Sequence, residues 1–172
     1  MRGPRVIAAL LAAVALGLGG TTAAYAAKTA SASGAGALDD GQRHFSFSVR
    51  QNADGTATGQ AELTNKNFTA LNGPAPYKLH IDVSCMKVFA AAHTAFFGGT
   101  VKSTNDPSLV DAVYFAVQDN GEPGKGVDKI SRVAFFDDNP TTTGDPQLCQ
   151  NNVLNDGYLP LETIESGNIQ LK

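Results

Sequence analysis

Residues 45–50 read Phe45-Ser46-Phe47-Ser48-Val49-Arg50, residues 52–55 read Asn52-Ala53-Asp54-Gly55, and residues 56–63 read Thr56-Ala57-Thr58-Gly59-Gln60-Ala61-Glu62-Leu63. The first stretch alternates apolar and polar side chains. A period of two puts Phe45, Phe47 and Val49 on one face of a pleated strand. Asp54-Gly55 supplies the positive φ of a tight hairpin turn. The third stretch resumes the alternation through Ala57, Gly59, Ala61 and Leu63. Together they predict a β-hairpin, and they set the reading of the rest of the chain.

Moving outward, Tyr77, Leu79, Ile81, Val83 and Cys85 share one parity, while Val88 has the other. That predicts a strand over 77–89 with a bulge near Met86. A turn is expected over 90–93, followed by a strand over 94–103 that carries Phe96, Phe97 and Val101. Gly98-Gly99 within it marks a bend or a close backbone approach. Val113, Phe115 and Val117 predict a strand over 110–118, residues 129–136 another, and Gly167-Asn168-Ile169-Gln170-Leu171-Lys172 a short closing one. Residues 141–156 are polar and irregular. After residue 43 no apolar stripe of helical period exceeds two turns.

These elements predict an all-β domain, an antiparallel meander of about seven to eight strands. Short connections favour an up-and-down β-barrel, which removes the sheet edges. The alternative closure is a two-sheet β-sandwich. Small residues at Gly59, Ala61, Gly98 and Gly99 suit strong coiling.

The N-terminus reads differently. Arg2 and Arg5 precede an uncharged run of 13 residues over 6–18, too short for a membrane-spanning helix of about 20. Ala24-Tyr25-Ala26 follows, a small-x-small site. Residues 1–26 are thus expected to be a secretory signal peptide cut between Ala26 and Ala27. Residues 27–42 are rich in Ala, Ser and Gly and are expected to be a flexible leader, with a single β domain over 43–172.

The 172 residues carry 13 Lys+Arg against 16 Asp+Glu, a formal net charge of −3. Losing Arg2 and Arg5 with the signal moves it to −5. Such a balance disfavours nucleic-acid partners, which call for clustered Lys and Arg. No second apolar span suggests membrane insertion after cleavage. A monomer is expected.

Taken in order, His44-Phe45-Ser46-Phe47, Asp54-Gly55-Thr56-Ala57-Thr58-Gly59, the strand holding Cys85, Asp119-Asn120-Gly121-Glu122, Asp128 and Gly167-Asn168-Ile169-Gln170-Leu171 give the chain a recognisable outline. It resembles a family of small secreted bacterial β-proteins of uncharacterised function, over most of residues 43–172. The resemblance implies a secreted β domain with paired cysteines and transfers no activity.

Cys85 and Cys149 are the only cysteines. An oxidising destination and a spacing foreign to C-x-x-C or zinc clusters point to one disulfide between them. Catalytic motifs are absent: there is no G-x-S-x-G elbow, H-E-x-x-H or P-loop. His80 and Asp82 share a strand face at i and i+2, an arrangement that can orient an imidazole or supply two metal ligands. An exposed polar face opposite Leu79, Ile81 and Val83 is their expected role. His44 precedes a strand and His93 lies in a turn. Glu62, Asp82 and Asp111 are candidate glycosidase carboxylates, but no Trp offers a sugar-stacking platform. Asp119, Asn120, Glu122 and Asp128, with Gly121, Gly124 and Gly126, gather oxygen donors in one loop. Calcium wants six to eight oxygens, and the loop lacks the EF-hand spacing. A hairpin end capped by Asn and Asp and stiffened by Pro123 is the expected role.

The expectation is therefore a secreted, non-enzymatic β domain, extracellular or envelope-associated, acting as a binding or structural module without metal or cofactor. The alternative is a β-barrel carrier of a small apolar ligand, with Phe45, Phe47, Phe96 and Phe115 lining its interior.

Overall fold

A computed structural model describes residues 29–70, 73–106, 109, 112–135, 144–150 and 159–172. The expected signal peptide, its cleavage point between Ala26 and Ala27, and Asp111 lie outside them. Strands take 61% of the described residues and helical turns 7%, so the all-β reading holds. The strands are β1 (Ser31–Leu38), β2 (Arg43–Gln51), β3 (Ala57–Asn65), β4 (Thr69–Ala70), β5 (Gly73–Pro74), β6 (Tyr77–Phe89), β7 (Thr94–Thr104), β8 (Ala112–Gln118), β9 (Lys129–Ser131), β10 (Ala134–Phe135), β11 (Leu161–Thr163) and β12 (Ser166–Leu171).

All pairings are antiparallel. The main sheet runs β11-β9-β8-β7-β6-β3-β2-β1-β12, with β10 also against β8, and β4 pairs with β5 as a separate small hairpin. The sheet curls into a half-barrel that stays open. The meander is as expected, but the sheet has more strands and full barrel closure by a backbone ladder is not reached. The last two strands take opposite edges of the sheet, β11 beside β9 and β12 beside β1, and only Ile164 and Glu165 connect them.

Residues 31–38 correct the leader reading: they form β1, laddered to β2 on one side and β12 on the other. Gly34 stands opposite Phe47 and Gly36 opposite Phe45. A Cβ on Gly34 would come within 2.9 Å of the Phe47 ring, and one on Gly36 within 2.8 Å of the Phe45 ring. The small residues that suggested disorder are what lets two aromatic rings lie across the strand.

The hydrophobic core fills the concave side. Phe97 and Phe115 stack at 4.7 Å, and Phe47 meets them at 5.5 and 6.0 Å. Leu79, Ile81, Val113, Val117, Ile130, Ile164 and Ile169 complete it, each almost fully buried. Register slips between Val83 and Cys85, slightly ahead of the expected position. Met86 consequently joins this core while Cys85 turns to the convex side. There a second cluster forms from Cys85, Phe96, Ala112, Tyr114, Ala116, Cys149 and Leu159. The expected strand over 129–136 is broken into β9 and β10, both against β8. At the break the Ser131 hydroxyl accepts the Ala116 N–H and donates to the Arg132 carbonyl.

Candidate functional site

Loop 119–128 leaves β8 and enters β9, so the meander carries it to the open seam beside β12. Its acids lie close to the C-terminal strand, an association that linear spacing hides. Asp128 is fully buried. Its Oδ1 accepts the Asn120 N–H and its Oδ2 the Ile169 N–H, each at 2.8 Å. Asp119 repeats the device: Oδ1 accepts from Gly121 at 3.0 Å and Oδ2 from the Leu171 N–H at 2.9 Å. Glu122 Oε1 takes two side-chain amides of β12, Asn168 Nδ2 at 2.8 Å and Gln170 Nε2 at 2.9 Å. These two bonds hold the exposed Glu122 carboxyl below its ordinary pKa against the repulsion of Asp119.

Residues 169 and 171 have their outward N–H groups on the side away from β1, where a neighbouring strand would normally accept them. Carboxylates take that place. Farther along, Gly126 N–H donates to the Ile164 carbonyl and Ile164 N–H to the Asp128 carbonyl. The loop thus follows β12 along the seam without forming a ladder. Gly124 owes its identity to this approach, because a Cβ there would strike Asp128 Oδ2 and Asn168 Oδ1. Gly121 and Gly126 instead supply positive φ, +102° and +79°.

Chemically, the loop's carboxylates face N–H donors, a donor set opposite to what a cation requires. Among the described residues no three His, Cys, Asp or Glu groups are placed to hold a metal ion. The capped-turn reading is met by the glycines and by the bonds from Gly121 to Asp119 and from Asn120 to Asp128; it missed the bonds of the acids to β12.

The other candidates sit on the polar convex face of β2, β3 and β6. His80 Nδ1 lies 3.4 Å from Glu62 Oε1 on β3, the residue directly opposite it. Asp82 instead approaches Lys102 Nζ at 3.4 Å. His80 and Asp82 therefore share a face without forming a dyad. His44 is exposed on β2, and His93 is an exposed left-handed residue (φ +50°) in the turn before β7. The four phenylalanines proposed as a lining divide: Phe45, Phe47 and Phe115 enter the concave core, whereas Phe96 belongs to the convex cluster.

Cys85 and Cys149 are bonded, with Cα atoms 6.1 Å apart and a sequence separation of 64. The bond fastens the 3-10 turn Pro146–Gln150 across the convex face. Tyr114 hydroxyl donates to the Asp145 carbonyl, Gln150 Nε2 to the Met86 carbonyl at 3.0 Å and Lys87 Nζ to the Gln150 carbonyl at 2.6 Å.

Fold and seam together define a curled antiparallel sheet with a carboxylate-bridged edge and a disulfide-fastened strap. No family model, curated protein or solved structure matches the chain. Among the described residues no helix is long and apolar enough to cross a membrane.

Proposed function

We propose that the chain is a secreted, non-enzymatic β domain that acts as a monomeric binding or structural module, outside the cell or at its envelope. One observation carries this reading: among the described residues, the acids the sequence offered for chemistry are engaged by the protein itself. Asp119, Glu122 and Asp128 hold β12, Glu62 lies against His80 and Asp82 against Lys102. The charged, apolar and small-residue succession of residues 1–26 supports export. A disulfide whose cysteines are both buried is in keeping with an oxidising destination. The loop also supports reading the half-barrel as an up-and-down barrel whose last stave is 119–128, in preference to a sandwich.

A carrier role finds less support. The Phe47, Phe97 and Phe115 rings occupy the middle of the concave side. Among the described residues, a cavity lined by Leu38, Phe45, Leu63 and Tyr77 together with the polar Arg43 and Ser131 measures about 10 Å³, the room of about one water molecule.

Mature protein purified from culture supernatant tests both parts. N-terminal sequencing should begin at Ala27, and native mass spectrometry after incubation with lipid extract should return the apo mass. A full-length chain in the membrane fraction would remove the secretion proposal. A stoichiometric lipid adduct would replace the module by a carrier.

A further inference from the structure

We infer that the contact between loop 119–128 and β12 is an acid-sensitive latch, which opens the sheet along its seam while the rest of the domain stays folded. Two backbone N–H groups of β12 are satisfied across the seam by carboxylates alone, Ile169 by Asp128 and Leu171 by Asp119. Each of these carboxylates also accepts a loop N–H on its other oxygen. Both oxygens must therefore be acceptors. Protonation removes the charge that strengthens both bonds and adds an O–H that needs an acceptor of its own, so the contact weakens. The ladders inside the meander are bonds between backbone groups that do not titrate, and the Arg43–Glu162 ion pair that acid weakens joins β2 to β11 and not β3 to β6.

The electrostatic setting favours release. Charged or titratable groups on the surrounding elements are Lys125 on the loop, Lys129 on β9, His93 before β7, and Glu165 and Lys172 flanking β12; β1 carries none, and β8 only Tyr114, whose side chain belongs to the convex cluster. Among the described residues none of these forms an ion pair with Asp119, Glu122 or Asp128. The carboxylates are held by neutral amides, so protonating them breaks no compensating ion pair. An opened seam exposes the outer N–H groups of β12, an edge able to pair with an extended segment.

Glu122 provides an internal contrast. Its Oε1 alone accepts both Asn168 and Gln170, so a glutamine can keep both bonds through its carbonyl oxygen. Asp119 and Asp128 have no such option.

The test is amide hydrogen exchange by NMR on the mature protein, expressed as protection factors, from pH 7 down to about pH 3. Ile169 and Leu171 should lose protection by at least tenfold while amides of β3 and β6 retain theirs. At pH 7, Asp119→Asn should expose Leu171 by a similar factor, Asp128→Asn should expose Ile169, and Glu122→Gln should change neither. If Ile169 and Leu171 keep their protection until β3 and β6 also exchange, the latch does not exist. The same conclusion follows if Glu122→Gln opens the seam as far as the aspartate variants. The acid series on unmodified protein decides the matter should either aspartate variant fail to fold.

Discussion

The carbonyl oxygen of Pro146 lies so close over Gly98 that a Cβ at residue 98 would collide with it. Gly98 is in β7 and Pro146 opens the strap that Cys149 fastens to Cys85. Bare backbone at Gly98 therefore lets the strap lie flat on the convex cluster. Gly98→Ala should destabilise the protein by about 1–3 kcal/mol, the usual range for overpacking. Urea unfolding would read it as a lower midpoint at unchanged slope. An unchanged midpoint would mean that the strap does not rest on β7.

Residues 29–42 should prove indispensable. A chain starting at residue 43 lacks β1 and leaves β12 without its ladder partner. It should lose cooperative thermal unfolding, whereas a chain starting at residue 29 should keep it. Circular dichroism melts of the two proteins make the comparison. Equal melting would return this segment to the role of a leader.

Arg43 and Glu162 should be unequal to Arg132 and Glu162. The Arg43 side chain is 6% exposed and ion-paired to Glu162, with Asp39 at 3.5 Å as its more exposed second partner. Glu162→Gln leaves that buried guanidinium with weaker compensation and should cost about 3 kcal/mol or more. Arg132 is 60% exposed, and Arg132→Ala should cost less than about 1 kcal/mol. Denaturant unfolding of both variants at pH 7 checks the order.

Tyr114 should be the last tyrosine to ionise. Burial first, and then the nearby Asp145, push its pKa up to about 12, against about 10 in an unfolded chain. The folded value is the higher one. Its contribution to stability is thus complete below about pH 10 and is lost as pH rises through about 12. Tyr77 is also raised, mainly by burial. Absorbance titration near 295 nm should show a late step that Tyr114→Phe removes. A titration in which all tyrosines ionise together near pH 10 would contradict the buried hydroxyl.

Much of the architecture was legible from local pattern. Alternation at Phe45, Phe47 and Val49, the Asp54-Gly55 turn and the parity of Leu79, Ile81 and Val83 each depend on a residue and its near neighbours. Their register in β2, β3 and β6 is what that pattern implies. The disulfide was legible for a different reason, since two cysteines allow only one intramolecular pair. β1 was illegible because its contribution is vacant space: Gly34 and Gly36 matter for the rings of Phe47 and Phe45, which belong to another strand. β11 was missed because three residues show no usable period.

The sequence by itself determined the strand grammar, the covalent link and the supply of acids in loop 119–128, because propensity, turn chemistry and valence act over a few residues. Only the tertiary structure decided what those acids do. Asp128 reaches Ile169 across 41 residues and Asp119 reaches Leu171 across 52. That meeting exists because β11 and β12 take opposite edges of one curled sheet. A carboxylate becomes a substitute for a strand only when curvature brings an unpaired edge to it, and curvature belongs to the whole sheet.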